Sequence, residues 1–490
     1  MELSADLILA NRAYMDHQTP PGTESRSSPG NGGLLAAVRP VIAPWEDGRG
    51  TTWIGAGSGA FDREWTDERG FELIPTGRGA LRHRRLYFDA ATWRSHYASV
   101  ANMFFWPLLH LVRDPLPELT SYFPRPAVPS ERDWNAYANV NDAFAQAAMD
   151  EQESSARTCW VHDYQLALVP AKLRERKFRR RIGFFLHTPF PDVAMAQRYL
   201  DEHGRDFLRQ FVAGMLGADL VGLQSPADVE RFTRAAEELC GTTPTATGVM
   251  DGERNVSVGA YPAGIDSDEV IATARAAAAS TRLGPIPEGV PLVVGLERSD
   301  YTKGIPERLA ALTAAYRAGL RFAYCGIAAP TREGVSAYDE VDAVIAGRAA
   351  EARSAADAAG LPFLHTREAI DWSEVVALQR DANIVFTSSL ADGMNLVPLQ
   401  AAVAQSLREP GQRATLLTGR DAGVASAFAG FEGDGLIPVN PLNPQEMLET
   451  FEYALRASAP RVTERLVAAV REHGAEAWAR SFLTDLENAC

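Results

Sequence analysis

Residues 291–309 read PLVVGLERSDYTKGIPERL, and this stretch decides the class of fold. PLVVGL is a continuous apolar run of the kind that forms a strand covered on both faces. ERSDYT then turns the chain, and Pro306 suits a first helical turn. Leu309, Leu312, Thr313 and Tyr316 follow at helical spacing, with Gly319 as a stop. A buried strand, a charged turn and an amphipathic helix make one repeat of a parallel α/β layer. The turn carries Lys303, one of three lysines beside 45 arginines. A chain so biased toward arginine keeps a lysine mainly where a compact ammonium is needed, although Lys172 and Lys177 sit on a charged helix with no such demand. An anion at this strand-to-helix turn would meet Arg298, Lys303 and helix-terminal amides together.

The same alternation runs outward in both directions. The first half contains DLILAN, TCWVHDYQ, RIGFFLHTP, DLVGLQS and VSVGAYPAGI; the second contains PLVVGLER, RFAYCGIAA, ANIVFTSS, TLLTG and LIPVN. Two α/β sets are implied, with a seam between Asp266 and Pro291, where an Ala-rich stretch enters the Pro/Gly-studded GPIPEGVP. A polar glycine-rich loop, residues 18–33, follows the first strand and reads as a binding loop, because ligands of doubly wound sheets sit beyond the strands' carboxyl ends.

Composition bounds the function. The chain has 490 residues, enough for two to four domains, with 46% apolar and 23% charged residues. A net charge of −15 argues against nucleic-acid or anionic-membrane partners, which need a basic face. No run of 18 apolar residues occurs and the N-terminus is acidic, so a cytoplasmic protein is expected. Cys159, Cys240, Cys325 and Cys490 form no CxxC pair and suggest reduced thiols, with neither disulfides nor zinc.

Three further turns carry chemistry. GIAAPTREG places Arg332 beyond a strand. SSLADGMNLVPLQ places Asp392 and Gly393 before Asn395, a candidate helix N-cap, and Pro398. The amides from Gly393 to Leu396 would form a nest for a diphosphate. WVHDYQ and GFFLHTPFP end strands in polar turns, so His162, Asp163 and His187 are candidates for sugar-hydroxyl recognition. HDY is too sparse for a metal site, and neither a hydrolytic carboxylate pair nor a GxSxG elbow is present. GAGSGA, residues 55–60, fits a dinucleotide fingerprint formally but leads into polar FDREWTDERGFE, so it is a turn.

Together, LILANR, WVHDYQL, GFFLHTPFP, DYTKGIPER, DGMNLV and the closing EAWARSFLTDL resemble the trehalose-6-phosphate synthase family, glycosyltransferase family 20, over nearly the whole chain. The resemblance implies a GT-B fold: two Rossmann-like domains facing each other across a deep cleft. It implies an acceptor-binding domain over 1–265, a nucleotide-sugar-binding domain over 266–474, and a C-terminal helix, 475–490, returning to the first. It places Arg298, Lys303, Asp163 and His187 at the reacting centre. Gly33, Arg298, Lys303, Asp392, Gly393, Met394, Asn395, Leu396 and Gln400 would hold the donor, with His187 near the sugar's 6-hydroxyl. Arg12, Trp53, Tyr97, Trp106, Asp163 and Arg332 would hold the acceptor, with Arg12, Tyr97 and Arg332 around its phosphate. The partners implied are a nucleotide sugar and a sugar phosphate, without cofactor or metal and with a homo-oligomer left open.

The family retains anomeric configuration without an obvious enzymic nucleophile, and no candidate nucleophile is visible here. The expected reaction moves glucose from GDP-glucose or UDP-glucose to glucose 6-phosphate; the Arg and Ala bias, as in a high-GC actinomycete-like genome, keeps GDP-glucose open. Departures lie on the nucleotide side. Gln400 replaces the family's ribose-holding glutamate, with one carbonyl left to accept a hydrogen bond; Leu399 stands for lysine and Ala391 for arginine. Alternatives are a pseudoglycosyltransferase joining a GDP-cyclitol to a phosphorylated amine, a glucosylglycerol-phosphate synthase, and a non-catalytic sugar-phosphate sensor.

Overall fold

The computed structural model describes residues 6–23, 27–29, 33–46, 50–76, 79–114, 116–151, 158–332 and 334–489. The chain divides into two compact units. The first comprises 1–113, 125–263 and 475–490, and the second comprises 114–124 and 264–474. Residues 114–124, inside the expected first domain, therefore belong to the second unit. There Phe123 sets its ring edge against Tyr301, centroids 5.1 Å apart.

The first unit is built on β1 (Leu7–Arg12), β2 (Met15–His17), β3 (Ser27–Pro29), β4 (Thr52–Ala56), β5 (Phe71–Thr76), β6 (Gly79–Leu86), β7 (Thr158–His162), β8 (Arg181–Phe185), β9 (Leu220–Leu223), β10 (Thr243–Pro244), β11 (Gly248–Asp251) and β12 (Arg254–Ala260). Ten of them form one sheet in the order β10-β11-β12-β9-β8-β7-β1-β4-β6-β5, and β2 and β3 pair separately. The strands from β12 to β6 are parallel, with antiparallel strands at both margins. The chain runs outward from β1 through β4, then crosses to β7 on the other side, so the order reverses between β1 and β7.

The second unit holds six parallel strands: β13 (Leu292–Arg298), β14 (Ala323–Ala329), β15 (Phe363–Thr366), β16 (Ile384–Phe386), β17 (Thr415–Gly419) and β18 (Leu436–Val439). Their order is β15-β14-β13-β16-β17-β18, which reverses between β13 and β16. Open α/β sheets bind ligands outside the carboxyl ends of the strands at such a reversal. All ten apolar runs quoted above contain strands of these sheets.

Local sequence explains the helices that frame the second reversal. Helix Ile305–Arg317 has Pro306 in its first turn and ends before Gly319, whose φ of +85° only glycine adopts freely. GAGSGA ends β4 and turns without a helix, as expected. In the first unit, helix Ala475–Asn488 places Trp478 and Phe482 against Trp160, at 5.2 Å and 4.8 Å between ring centroids. Among the described residues no helix is long and apolar enough to cross a membrane. Cys159, Cys240 and Cys325 are free thiols, and Cys490 lies outside the described residues.

Candidate active site

In the second unit the turns after β13 and β16 interlock. The Leu390 amide donates to the Thr302 carbonyl at 2.8 Å, and the Ser388 hydroxyl reaches the Lys303 and Gly304 carbonyls at 3.1 and 2.8 Å. Gly304 has φ of +59°, and a Cβ there would lie 2.1 Å from the Ser388 carbonyl oxygen, so the two turns meet only through a glycine. Beneath them buried Arg308 pairs with Glu297 and donates to the Phe386 carbonyl at 3.0 Å, tying β13 to β16.

Lys303 is only 8% exposed, and its ammonium donates to Asp392 Oδ2 at 2.5 Å. Asp392 also accepts from the Ser389 hydroxyl at 3.0 Å and from the Gly393 amide at 3.0 Å. The Gly393 amide is thus occupied by its neighbouring carboxylate and is not part of the expected nest. Among the described residues no acceptor is found for the amides of Met394, Asn395 and Leu396. Asn395 was expected as the N-cap of the following helix. Leu396 holds that position for Val397–Gln405, while the Asn395 side chain still accepts from the Val397 amide at 3.3 Å. The reason is the Asn395 backbone, at φ of +55°, a left-handed conformation that suits asparagine and not an N-cap.

Arg298, Lys303 and Arg332 converge on a residue that sequence reasoning passed over. Asp300 is fully buried; its Oδ1 accepts from the Thr302 amide and hydroxyl at 3.0 Å, and its Oδ2 accepts from Arg332 Nη1 at 2.5 Å. Burial alone would raise the Asp300 carboxyl, but the Arg332, Arg298 and Lys303 charges and the Thr302 amide outweigh it and hold it well below the usual carboxylate range. Arg332 and Arg298, assigned to different ligands, thus share one carboxylate's field. A charged residue inside a β–α turn was the only signal, and it names no partner.

Gln400 has a partner of its own within the second unit. Its carbonyl oxygen accepts from Gln379 Nε2 at 3.3 Å, which leaves one lone pair of that oxygen and the amide nitrogen to contact a ligand.

In the first unit Arg12 ends β1, and its guanidinium donates to the Tyr97 hydroxyl at 2.8 Å. The Trp53 indole, on adjacent β4, donates to the Arg12 carbonyl at 3.1 Å. Arg12, Trp53 and Tyr97 are thereby brought together. Tyr97 lies in a π-helix, Ser95–Phe105, whose end leads directly into Trp106. With i→i+5 hydrogen bonds a turn holds about 4.5 residues, so nine residues make about two turns and return to the same face. An α-helix would set Tyr97 and Trp106 on opposite faces. Trp106 packs near Tyr164, centroids 5.8 Å apart, next to Asp163.

Asp163 follows β7 and His187 follows β8. Asp163 Oδ1 accepts from the His187 amide at 3.2 Å, and the His187 and His162 rings approach at 3.1 Å between Nε2 and Nδ1. Burial pulls the His187 imidazole down to about 3, so it is neutral at physiological pH and suited to hydroxyl recognition rather than acid catalysis. Gly33 opens the short helix Gly33–Val38, and residues 30–32 before it lie outside the described residues. Among the described residues four non-glycines have positive φ, and three are Asp163 (73°), Arg332 (47°) and Asn395 (55°). Such strain collects where function over-determines the backbone. Among the described residues no group of three His, Cys, Asp or Glu could hold a metal ion.

The model of glycosyltransferase family 20 matches residues 6–488. The chain belongs to that family. It is a glycosyltransferase of the trehalose-phosphate synthase type. It is 30% identical over 503 residues to the trehalose-6-phosphate synthase of Mycobacterium sp. (strain KMS), covering 98% of this chain and 94% of that one. It is 31% identical over 508 residues to the trehalose-6-phosphate synthase of Mycolicibacterium gilvum (strain PYR-GCK), covering 98% and 93%. Its fold matches the alpha,alpha-trehalose-phosphate synthase (UDP-forming) from Burkholderia xenovorans in complex with glucose-6-phosphate, with TM-score 0.76, 24% identity and coverage of 98% and 99%. It also matches the E. coli structure bound with UDP-2-fluoro glucose, with TM-score 0.77, 22% identity and coverage of 99% and 100%.

Proposed function

We propose that this family 20 enzyme moves glucose from a nucleoside-diphosphate glucose, UDP- or GDP-linked, to glucose 6-phosphate with retention, giving α,α-trehalose 6-phosphate. The observation that carries the reading is the placement of Arg298 at the end of β13, of Lys303 in the turn after it and of Asp392–Leu396 after β16, the two strands at which the second sheet reverses. Arg298, Lys303 and the Met394–Leu396 amides take the donor diphosphate, and Asp392 takes sugar hydroxyls. In the first unit Arg12 and Tyr97 are assigned to the acceptor phosphate, Trp53, Trp106 and Asp163 to the rest of the acceptor, and neutral His187 to the donor sugar; in the second unit Arg332 is assigned to the acceptor phosphate. Gln400 contacts the nucleotide through its side-chain amide.

In the reaction the anomeric C–O bond to the diphosphate breaks as the acceptor hydroxyl attacks from the same face. The hydroxyl proton passes to the departing phosphate oxygen, and Arg298 and Lys303 stabilise the negative charge that grows there. No covalent enzyme intermediate is required.

The test is incubation with glucose 6-phosphate and either UDP-glucose or GDP-glucose, followed by mass detection of a disaccharide phosphate and NMR of its anomeric protons. Product with one donor supports the reading and names the base. Tight glucose 6-phosphate binding without product from either donor refutes it in favour of a sensor.

A further inference from the structure

The buried group most closely joined to the cation cluster is the one to which no role has been given. Asp300 Oδ2 meets Arg332 Nη1 at 2.5 Å and the Tyr338 hydroxyl at 3.2 Å, and the same Arg332 nitrogen donates to the Tyr338 hydroxyl at 2.7 Å. The three groups close a triangle, with the guanidinium carbon 5.6 Å from the centre of the Tyr338 ring. Asp300 comes from the turn after β13, Arg332 from the loop after β14 and Tyr338 from helix Ala337–Ala358. Asp300 and Tyr338 are both buried, and the Arg332 side chain, 6% exposed, packs with them from a loop residue of left-handed backbone. A guanidinium on a strained loop has many rotamers, and fixing its plane beforehand removes that entropy from binding.

We propose that Asp300 and Tyr338 are positioning residues that fix the Arg332 guanidinium for the acceptor's phosphate, so that selection of a phosphorylated acceptor depends on two side chains that never touch it. The inference rests on the assignment of Arg332 to that phosphate. A purely structural ion pair would look similar in a static structure, but the sign of one substitution separates the two. Asp300→Asn removes a negative charge beside Arg298, Lys303 and Arg332, and by Coulomb's law alone it tightens the binding of any anion. Positioning predicts the reverse.

The experiment is calorimetric titration of the full chain with glucose 6-phosphate, and separately with UDP and GDP, alongside thermal melts. Arg332→Ala serves as the reference. Tyr338→Phe, which changes no charge and keeps the ring packed, should raise the Kd for glucose 6-phosphate about fivefold and leave nucleotide binding within twofold. Asp300→Asn should raise the glucose 6-phosphate Kd about tenfold, and the double variant Arg332→Ala/Tyr338→Phe should bind no more weakly than Arg332→Ala. Unchanged or tighter binding by both Asp300→Asn and Tyr338→Phe, while Arg332→Ala weakens it, overturns the positioning role alone. Equal weakening of sugar phosphate and nucleotide with a lowered Tm also overturns it, as a structural effect. Unaltered binding by Arg332→Ala overturns the assignment of Arg332 itself, and the positioning role with it.

Discussion

Replacing Lys303 tests the electrostatic account of the reaction most directly. Lys303 is 8% exposed, and its ammonium lies 2.5 Å from Asp392 Oδ2 and contributes to the field that keeps Asp300 ionised. Removing one preorganised donor to a developing oxyanion typically costs about 3 kcal/mol, so Lys303→Ala should lower kcat at least ~100-fold. The same change leaves Asp392 without its cation but still bonded to Ser389 and the Gly393 amide, so the stability loss should stay near ~1–3 kcal/mol and the chain should remain folded. Lys303→Arg is the sharper variant. A guanidinium is planar and forked, and the space beside Asp392 lies under interlocked turns where even a Cβ on Gly304 would lie 2.1 Å from the Ser388 carbonyl oxygen. Arginine should therefore restore less than a tenth of the lost turnover, although this chain uses it for almost every other positive charge. The assay is steady-state turnover with both substrates saturating, with Tm measured in parallel. Lys303→Ala turning over at near the native rate would remove Lys303 from the chemistry. Full rescue by arginine would show that charge alone matters, and not the compactness of the ammonium.

Tyr97→Phe deletes the acceptor of the 2.8 Å bond from Arg12 and should raise KM for the sugar phosphate about three- to tenfold with kcat little changed; an unaltered KM would separate Arg12 and Tyr97 from the phosphate. Gln400→Glu should keep the bond from Gln379 while adding charge, and lower the donor KM several-fold in steady-state assays; an unaltered KM with both UDP- and GDP-glucose would remove residue 400 from nucleotide recognition. Burial lowers the imidazoles of His96, His187 and His365 to about 3, so each binds its proton only in the unfolded chain over the window from about 6.5 down to 3. Stability is therefore full above about pH 6.5 and falls below it, by up to about 1.4 kcal/mol per pH unit for each of these groups. Thermal melts at pH 7.5, 6.5 and 5.5 should show Tm steady over the first step and dropping over the second; a flat profile would contradict the burial of these rings as neutral groups.

The polar strand β6 shows what periodicity misses. Its GALRHRRL reads as surface, yet Arg85 is buried between Asp62, at 3.0 Å, and Glu72, while Arg84 reaches Asp150 at 2.7 Å. These partners are distant in sequence, so no local pattern announces that the charges are satisfied. The edge strands β10 and β15, and β11 beside β10, are short and exposed or half-covered, and they give no long apolar run to detect. The π-helix behind Tyr97 and Trp106 is likewise silent in sequence, because one extra residue per turn alters which faces coincide without altering composition.

By itself the sequence determined the alternation of buried strands and amphipathic helices, the turns that carry Asp163, His187, Lys303, Arg332 and Asp392, and through those motifs the family. Burial of apolar runs is a local demand, so residue order alone states it. Only the tertiary structure decided that Lys303 is neutralised by Asp392, that Gln379 takes the Gln400 carbonyl, and that Asp300 gathers cations meant for two ligands. Those pairings are set by which strands lie side by side at a sheet reversal, and electrostatic energy depends on distances through space that sequence spacing does not contain.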